Sequence, residues 1–298
     1  MAIKKMMSAF LAVCLVLIFA SVPTHAESNV KLIVNSEIIT PDSPPVVING
    51  STLVSLKSLS KLNLSLVWSS KNKSVTVTTK ENKNKLVLKV GEKVSTFGDQ
   101  KLPLGTPVQL KNNRVMVPLR FISEAFKAYV NWDKETNTIV IRSLDKLDKY
   151  STLYQVDDLA AARKVAVSLP QIGENTFSTS QELSSHQLLF PEGEALRYYY
   201  VYGNHISYYE VKNDVSYLVW EGREGDQPGT YSKENGKRPA PEKSEVHFDL
   251  ERDSTVVTYG KVNSGEELKG ELVKSKDGFL PGMIYTIAGE TRTDKKAK

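Results

Sequence analysis

The sequence predicts an α+β protein: tandem strand–helix–hairpin repeats sharing one core, followed by a small α+β domain with an antiparallel sheet. Three observations predict it. Residues 45–78 and 107–142 carry one pattern twice, Asp157 opens an amphipathic helical stretch, and residues 196–261 alternate apolar and polar positions between short turn signals.

In chain order, Lys4 and Lys5 precede the apolar run Leu11 to Ala20, and Thr24-His25-Ala26 follows. Residues 1–26 therefore read as a secretory signal peptide. The expected mature chain is secreted or cell-wall associated, with no membrane span once the signal is removed. Cys14 is the sole cysteine and lies in the signal, so neither disulfides nor thiol chemistry are expected. The formal charge of +5 loses Lys4 and Lys5 with the signal, leaving +3. That is too small and too dispersed for nucleic-acid binding.

The repeat occupies residues 30–143. In the second copy Arg114 to Val117 is extended, and Pro118 fits the first position of a helix. Leu119, Ile122, Ala125 and Phe126 share one helical face, with Arg120 and Glu124 four apart on the flank. Val130 and Trp132 then lead into the turn Asp133 to Asn137, and Ile139 and Ile141 return. In the first copy Ser55 takes the proline position and offers a cap. Leu56, Leu59 and Leu62 form the stripe, and Leu66, Trp68, Val75 and Val77 the hairpin. Lys31 to Ile39 and Leu86 to Leu104 supply further strands, turning at Asn35-Ser36 and at Val90-Gly91-Glu92. A unit this short cannot bury its apolar face alone, so the copies must share a core.

The motifs Val117-Pro118-Leu119-Arg120, Ser123-Glu124-Ala125 and Val130-Asn131-Trp132-Asp133 resemble the N-terminal stalk-type domain of copper amine oxidases. That domain also occurs in many exported bacterial proteins, often as a tandem pair. In the first copy Val54-Ser55-Leu56-Lys57 and Ser69 depart from the pattern. The resemblance implies a twisted antiparallel sheet packed on helices. It implies no catalysis, because in the oxidases this domain is separate from the copper site.

Residues 144–150 read as a charged linker, and residues 151–291 as a second α+β domain of a family the sequence does not identify. Its helix opens at Asp157-Asp158, presents Leu159, Ala162, Ala166 and Leu169, and stops at Pro170. Strands follow at 196–202, 205–211, 215–221, 247–251, 255–261 and 283–288. Gly203-Asn204, Asn213-Asp214 and Asp253-Ser254 are their turns. Residues 222–244 read as a long polar loop.

Metal chemistry finds no support in spacing. His186, His205 and His247 are far apart, and no His-x-His occurs. The Asn-Tyr pair that a copper amine oxidase needs for its quinone is missing. There is no Gly-x-Ser-x-Gly, and Ser184-Ser185-His186 is only a sequence neighbourhood. Glu192 and Glu194 around Gly193 read as a solvated turn. No catalytic residue, metal or cofactor is therefore assigned.

The informative cluster is aromatic: seven tyrosines and Trp220 fall between residues 198 and 220. Two-residue turns put Tyr198 opposite Tyr209, Tyr200 opposite Ser207, Tyr202 opposite His205, Tyr209 opposite Leu218 and Ser207 opposite Trp220. That face, free of charge, reads as core. The other face carries Tyr199, Tyr208 and Tyr217, which are the candidate ligand-binding residues, since half-exposed phenols stack on sugar rings and donate hydrogen bonds. The expected partners are cell-wall polysaccharide or another envelope protein. The expected role is non-catalytic binding or scaffolding at the envelope. An envelope hydrolase using residues near 222–244, or a purely structural spacer, are the competing readings.

Overall fold

The computed structural model describes residues 30–79, 85–173, 176–177, 185–227, 229–262 and 264–296. The segment 1–26 expected to be a signal, with Cys14, and Ser184 lie outside the described residues. Among the described residues strands dominate, helices are few and most strand pairs are antiparallel, in keeping with an α+β chain.

The first half holds three small sheets. Val46–Ile48, Ser51–Ser55, Arg114–Pro118 and Gln109–Lys111 form the central one. Its middle pairing sets Val54 opposite Val117, flanked by Ser55 opposite Met116 and Leu53 opposite Pro118. Val54 and Val117 are both buried, in a single apolar cluster that joins Leu59, Leu62 and Val75 to Ile122, Ile139 and Ile141. Leu64–Ser69, Ser74–Thr79, Leu86–Lys89, Val94–Phe97 and Gln100–Pro103 make a five-stranded antiparallel meander. In the third sheet Lys31–Val34 pairs in parallel with Thr138–Arg142, which also pairs with Tyr129–Asp133. Asn35 and Ser36 turn the chain into Glu37–Ile39 with positive φ values of 53° and 65°.

Leu119–Phe126 is an α-helix, here α1, burying Leu119, Phe121 and Ile122, and Arg120 pairs with Glu124 at 3.1 Å. Pro118 is the last strand residue rather than the first helical one. The first-copy segment Leu56–Leu62 is a 3-10 helix, and the Ser55 side chain makes no capping bond to it. Asn63, in the left-handed region, ends it. Trp68 and Trp132 remain 43% and 38% exposed, so the tryptophans lie outside the core that the alternation predicts for them.

Residues 144–150 are helical: a 3-10 turn at Leu144–Lys146 runs into α2, Leu147–Tyr154, which buries Tyr150, Leu153 and Tyr154. Next comes α3, Leu159–Val167, capped by the Asp158 carboxylate accepting from the Ala161 N–H at 2.9 Å. Both helices cover one face of the large sheet. Its order is Gln171–Ile172, Val215–Glu224, His205–Lys212, Arg197–Tyr202, His186–Pro191, Glu245–Leu250, Val256–Lys261 and Leu268–Glu271. Tyr150, Leu153, Ala166, Leu188, Phe190, Tyr198, Tyr209 and Phe248 fill the space between.

His186–Pro191 is central in this sheet although no sequence signal marked it. The stretch 222–244 is not one loop. Val215–Glu224 continues through Gly222 and pairs with Tyr231–Gly236. Gly236 has φ 85°, and a Cβ there would sit 2.2 Å from the Val219 carbonyl oxygen, so only glycine fits. The strand expected at 283–288 is absent. A 3-10 turn at Leu280–Met283 leads instead into an irregular tail.

That tail is tied down by charge. Arg292 is buried and donates to the carbonyls of Thr152, Leu153 and Val156 at the C-terminus of α2, where a cation offsets the helix dipole. Asp294 accepts from the N–H groups of Ala195 and Leu196, each at 2.7 Å. Glu290 accepts both guanidinium branches of Arg163, at 2.6 and 2.7 Å, with both side chains essentially dry. Arg163 also donates to the Glu194 carbonyl at 2.8 Å. Removing one member of a dry ion pair strands the other, at a cost of about 3–5 kcal/mol. Arg163→Ala is therefore expected to lower the urea midpoint strongly, while Arg163→Met with Glu290→Leu recovers most of the loss. An unchanged midpoint in the single variant would remove the tail from the folding unit.

Candidate functional site

The candidate ligand-binding tyrosines sit on the consecutive strands Arg197–Tyr202, His205–Lys212 and Val215–Glu224 of the large sheet. The observed register agrees with the predicted pairs Tyr198–Tyr209, Tyr200–Ser207, Tyr202–His205 and Tyr209–Leu218. It departs at one point. A bulge next to Tyr208 inserts Val219, so Tyr208 opposes Trp220 and Ser207 opposes Glu221. One extra residue inverts every side chain beyond it. Trp220 therefore leaves the predicted core face for the face of Tyr208, and Glu221 turns inward.

The structure brings Tyr199 and Tyr208 together, with ring centroids 4.8 Å apart. Tyr208 is buried and Tyr199 half-buried. The Trp220 indole beside them is capped by Tyr231 edge-on at 5.1 Å and by the Arg238 guanidinium, and its N–H donates to Glu234 at 3.2 Å. Tyr217 is not part of this group. It packs with Ile172 and Val215 against Ile33 and Val140 of the first half.

The inward turn of Glu221 creates a buried polar knot that sequence reasoning missed. Its carboxylate accepts from the Thr176 N–H at 2.9 Å, the Thr176 hydroxyl at 2.5 Å, Asn235 at 3.3 Å and meets His205 Nε2 at 3.1 Å. Burial raises the carboxyl pKa, but these bonds outweigh it and hold the group below its usual range. A carboxylate with its lone pairs occupied has little capacity left to take a substrate proton. His186 is elsewhere, on the Tyr200 hydroxyl at 2.8 Å, and His247 is on Asp249 at 2.6 Å. Glu192 and Glu194 are ion-paired rather than merely solvated: Glu192 accepts from Lys261 at 2.5 Å, and Glu194 pairs with Arg197. Among the described residues no three metal-ligating side chains converge.

The most strongly organised polar site joins the two halves. Asn213 and Asp214 form the tight turn between His205–Lys212 and Val215–Glu224, with φ values of 54° and 64° that these residue types tolerate. The turn pushes Asp214 into the first half, where it is fully buried. Arg142 grips both carboxylate oxygens, at 2.7 and 2.8 Å, and the Tyr154 hydroxyl donates to one of them at 3.0 Å. The Asp214 N–H returns a bond to that hydroxyl at 3.1 Å. Burial, and then the Asp214 charge, push the Tyr154 phenol far up, so it stays protonated and available as a donor. The Arg142 guanidinium lies over the rings of Tyr129, Tyr150 and Tyr154 at 4.5–5.4 Å.

A second contact flanks this one. Asn213 donates to the Asp133 carboxylate at 2.7 Å, and the Lys212 ammonium lies 3.3 Å away. Asp133 also holds its own turn by accepting from the N–H groups of Glu135 and Thr136. Burial raises its carboxyl, but bonds from Asn213, Thr136 and Lys212 outweigh that and hold it well below the usual carboxylate range. An unfolded aspartate titrates near about pH 3.9. The depressed native value means that this stabilisation is complete above that pH and fades as the pH falls toward the native value. The protection factors of the amides at residues 212–215, taken relative to the intrinsic exchange rate at each pH, are expected to fall on acidification below about pH 4, and Asp133→Asn to flatten that response. An equal fall in both proteins would assign it to another group.

Residues 33–141 match the family model described as the copper amine oxidase N-terminal domain. No curated protein matches the chain. The matched span covers the central pairing of Val54 with Val117, the helix α1 and the hairpin that ends on Ile141, so the family model agrees with the resemblance read from the motifs of these residues.

Proposed function

We propose that this chain is an exported, non-catalytic cell-envelope protein with a binding or scaffolding role, in which the stalk-type domain presents the C-terminal unit in one orientation. The junction around Asp214 carries this reading. A dry carboxylate held by a two-pronged guanidinium and a phenol constrains direction as well as distance. A simple tether needs no such contact, because linked domains otherwise move relative to one another by default.

Two further observations support the reading. The N-terminal Lys4-Lys5 and Leu11 to Ala20 pattern favours export. The matched family contributes, in the oxidases, a domain apart from the copper site. Cell-wall polysaccharide or another envelope protein are the partner classes we favour, with the half-buried Tyr199 ring as the stacking position. The hydrolase reading has less support, since the buried acid nearest to residues 222–244, Glu221, already accepts from Thr176 and Asn235.

Fractionation of the source cells into cytoplasm, membrane, wall and medium tests the proposal. The chain is expected outside the cytoplasm, shortened at its N-terminus by the segment ending at Ala26. An unprocessed chain confined to the cytoplasm would overturn it.

A further inference from the structure

Beside the junction a cleft of about 900 Å³ opens between the two halves. Separate stretches of chain converge on it: the Asn35–Glu37 turn, the end of the 3-10 helix at Lys61, the helical connector, α3 and the segment from Val273 to Gly282. Its walls carry Lys61, Lys146, Lys149, Lys164, Lys274 and Lys276, and no arginine. Glu37, Asp145 and Asp277 are the only carboxylates among the lining residues, which leaves an excess of three positive charges. Lys61 is neutralised by Glu37 at 2.5 Å, and Lys146 lies 3.8 Å from Asp145. Among the described residues, Lys149, Lys164, Lys274 and Lys276 have no carboxylate within ion-pair distance.

Unpaired ammonium groups around one concavity repel each other, and the protein walls focus their field into the opening. Burial lowers the Lys149 pKa, and the neighbouring Lys146 charge acts in the same direction against Asp277. The fold thus holds together like charges that an anion would relieve. The size of the space decides between a single ion and a longer ligand, since clefts of this volume take ligands of many atoms. The absence of arginine favours phosphate over carboxylate. Lysine acts as a point charge on phosphate oxygens, whereas planar carboxylates are best matched by the guanidinium fork.

We propose that this cleft binds an oligoanion carrying successive phosphate groups, with Lys149, Lys164, Lys274 and Lys276 as its contacts. The proposal rests on the reading of the chain as a two-unit binding scaffold, because Lys61 and Lys164 line one cleft only while the junction is closed.

Calorimetric titration of the purified chain with inorganic tripolyphosphate tests it. Saturable binding is expected at low ionic strength and should weaken as salt rises. Lys164→Gln with Lys274→Gln and Lys276→Gln removes three exposed charges and is expected to weaken binding roughly tenfold. Lys71→Gln with Lys101→Gln and Lys111→Gln removes the same charge away from the cleft and should leave affinity within about twofold. Equal losses in the two triple variants would show that net charge, not the cleft, attracts the anion, and would overturn the proposal. So would a wild-type chain that does not bind, or one that binds an oligouronate of equal charge as tightly. The measurement uses purified protein, so a cytoplasmic location would defeat the export reading and leave this result standing.

Discussion

The arrangement of this molecule depends on the Asp214 carboxylate. It sits at the tip of a two-residue turn, fully removed from water, and its charge is met by Arg142 and Tyr154 from two different segments. A buried carboxylate is costly unless its oxygens are occupied. Here the occupants come from the last strand of the first half and from α2, so the three segments must arrive together. The contact also suits α2: Tyr150 and Tyr154 lie one helical turn apart, so both rings reach the Arg142 guanidinium.

Around this contact the two halves differ in how they are held. The first half is an apolar cluster centred on the pairing of Val54 with Val117, and its ion pairs are mostly exposed. The second is a large sheet whose rim is closed by buried charge: Arg163 with Glu290, Arg292 on the end of α2, and Asp294 on two free N–H groups. The tail residues Glu290, Arg292 and Asp294 knit the irregular tail to residues 98 to 140 positions earlier. Such pairs contribute orientation more than net stability, which suits a unit whose last segment has no strand or helix of its own.

The bulge at Val219 has the widest consequences for the candidate site. It sends Trp220 outward under Tyr231 and Arg238, and Glu221 inward to His205. The aromatic surface that the alternation suggests is divided by packing. Tyr208 is packed away, Tyr217 is taken into the junction, and Tyr199 keeps partial exposure.

Local pattern was enough to specify the hairpins of residues 196–261, their registers up to the bulge, the opening of a helix at Asp157-Asp158 and the family resemblance of residues 33–141. All of these follow from alternation, turn residues and short-range motifs. The strands Leu32-Ile33-Val34 and Ile139-Val140-Ile141 are covered on both faces, because Val215 and Tyr217 pack on Ile33 and Val140, whereas alternation marked the returning strand only as half-buried. Tertiary structure alone decided the rest. Asp214 is an ordinary turn residue, Arg163 an ordinary late-helix cation and Asp133 an ordinary hairpin acid until distant segments bury them. The physical reason is range. Backbone propensity acts over a few residues, whereas the desolvation of a charge depends on whatever packs against it, and here those partners lie about seventy to a hundred and thirty positions away in the chain.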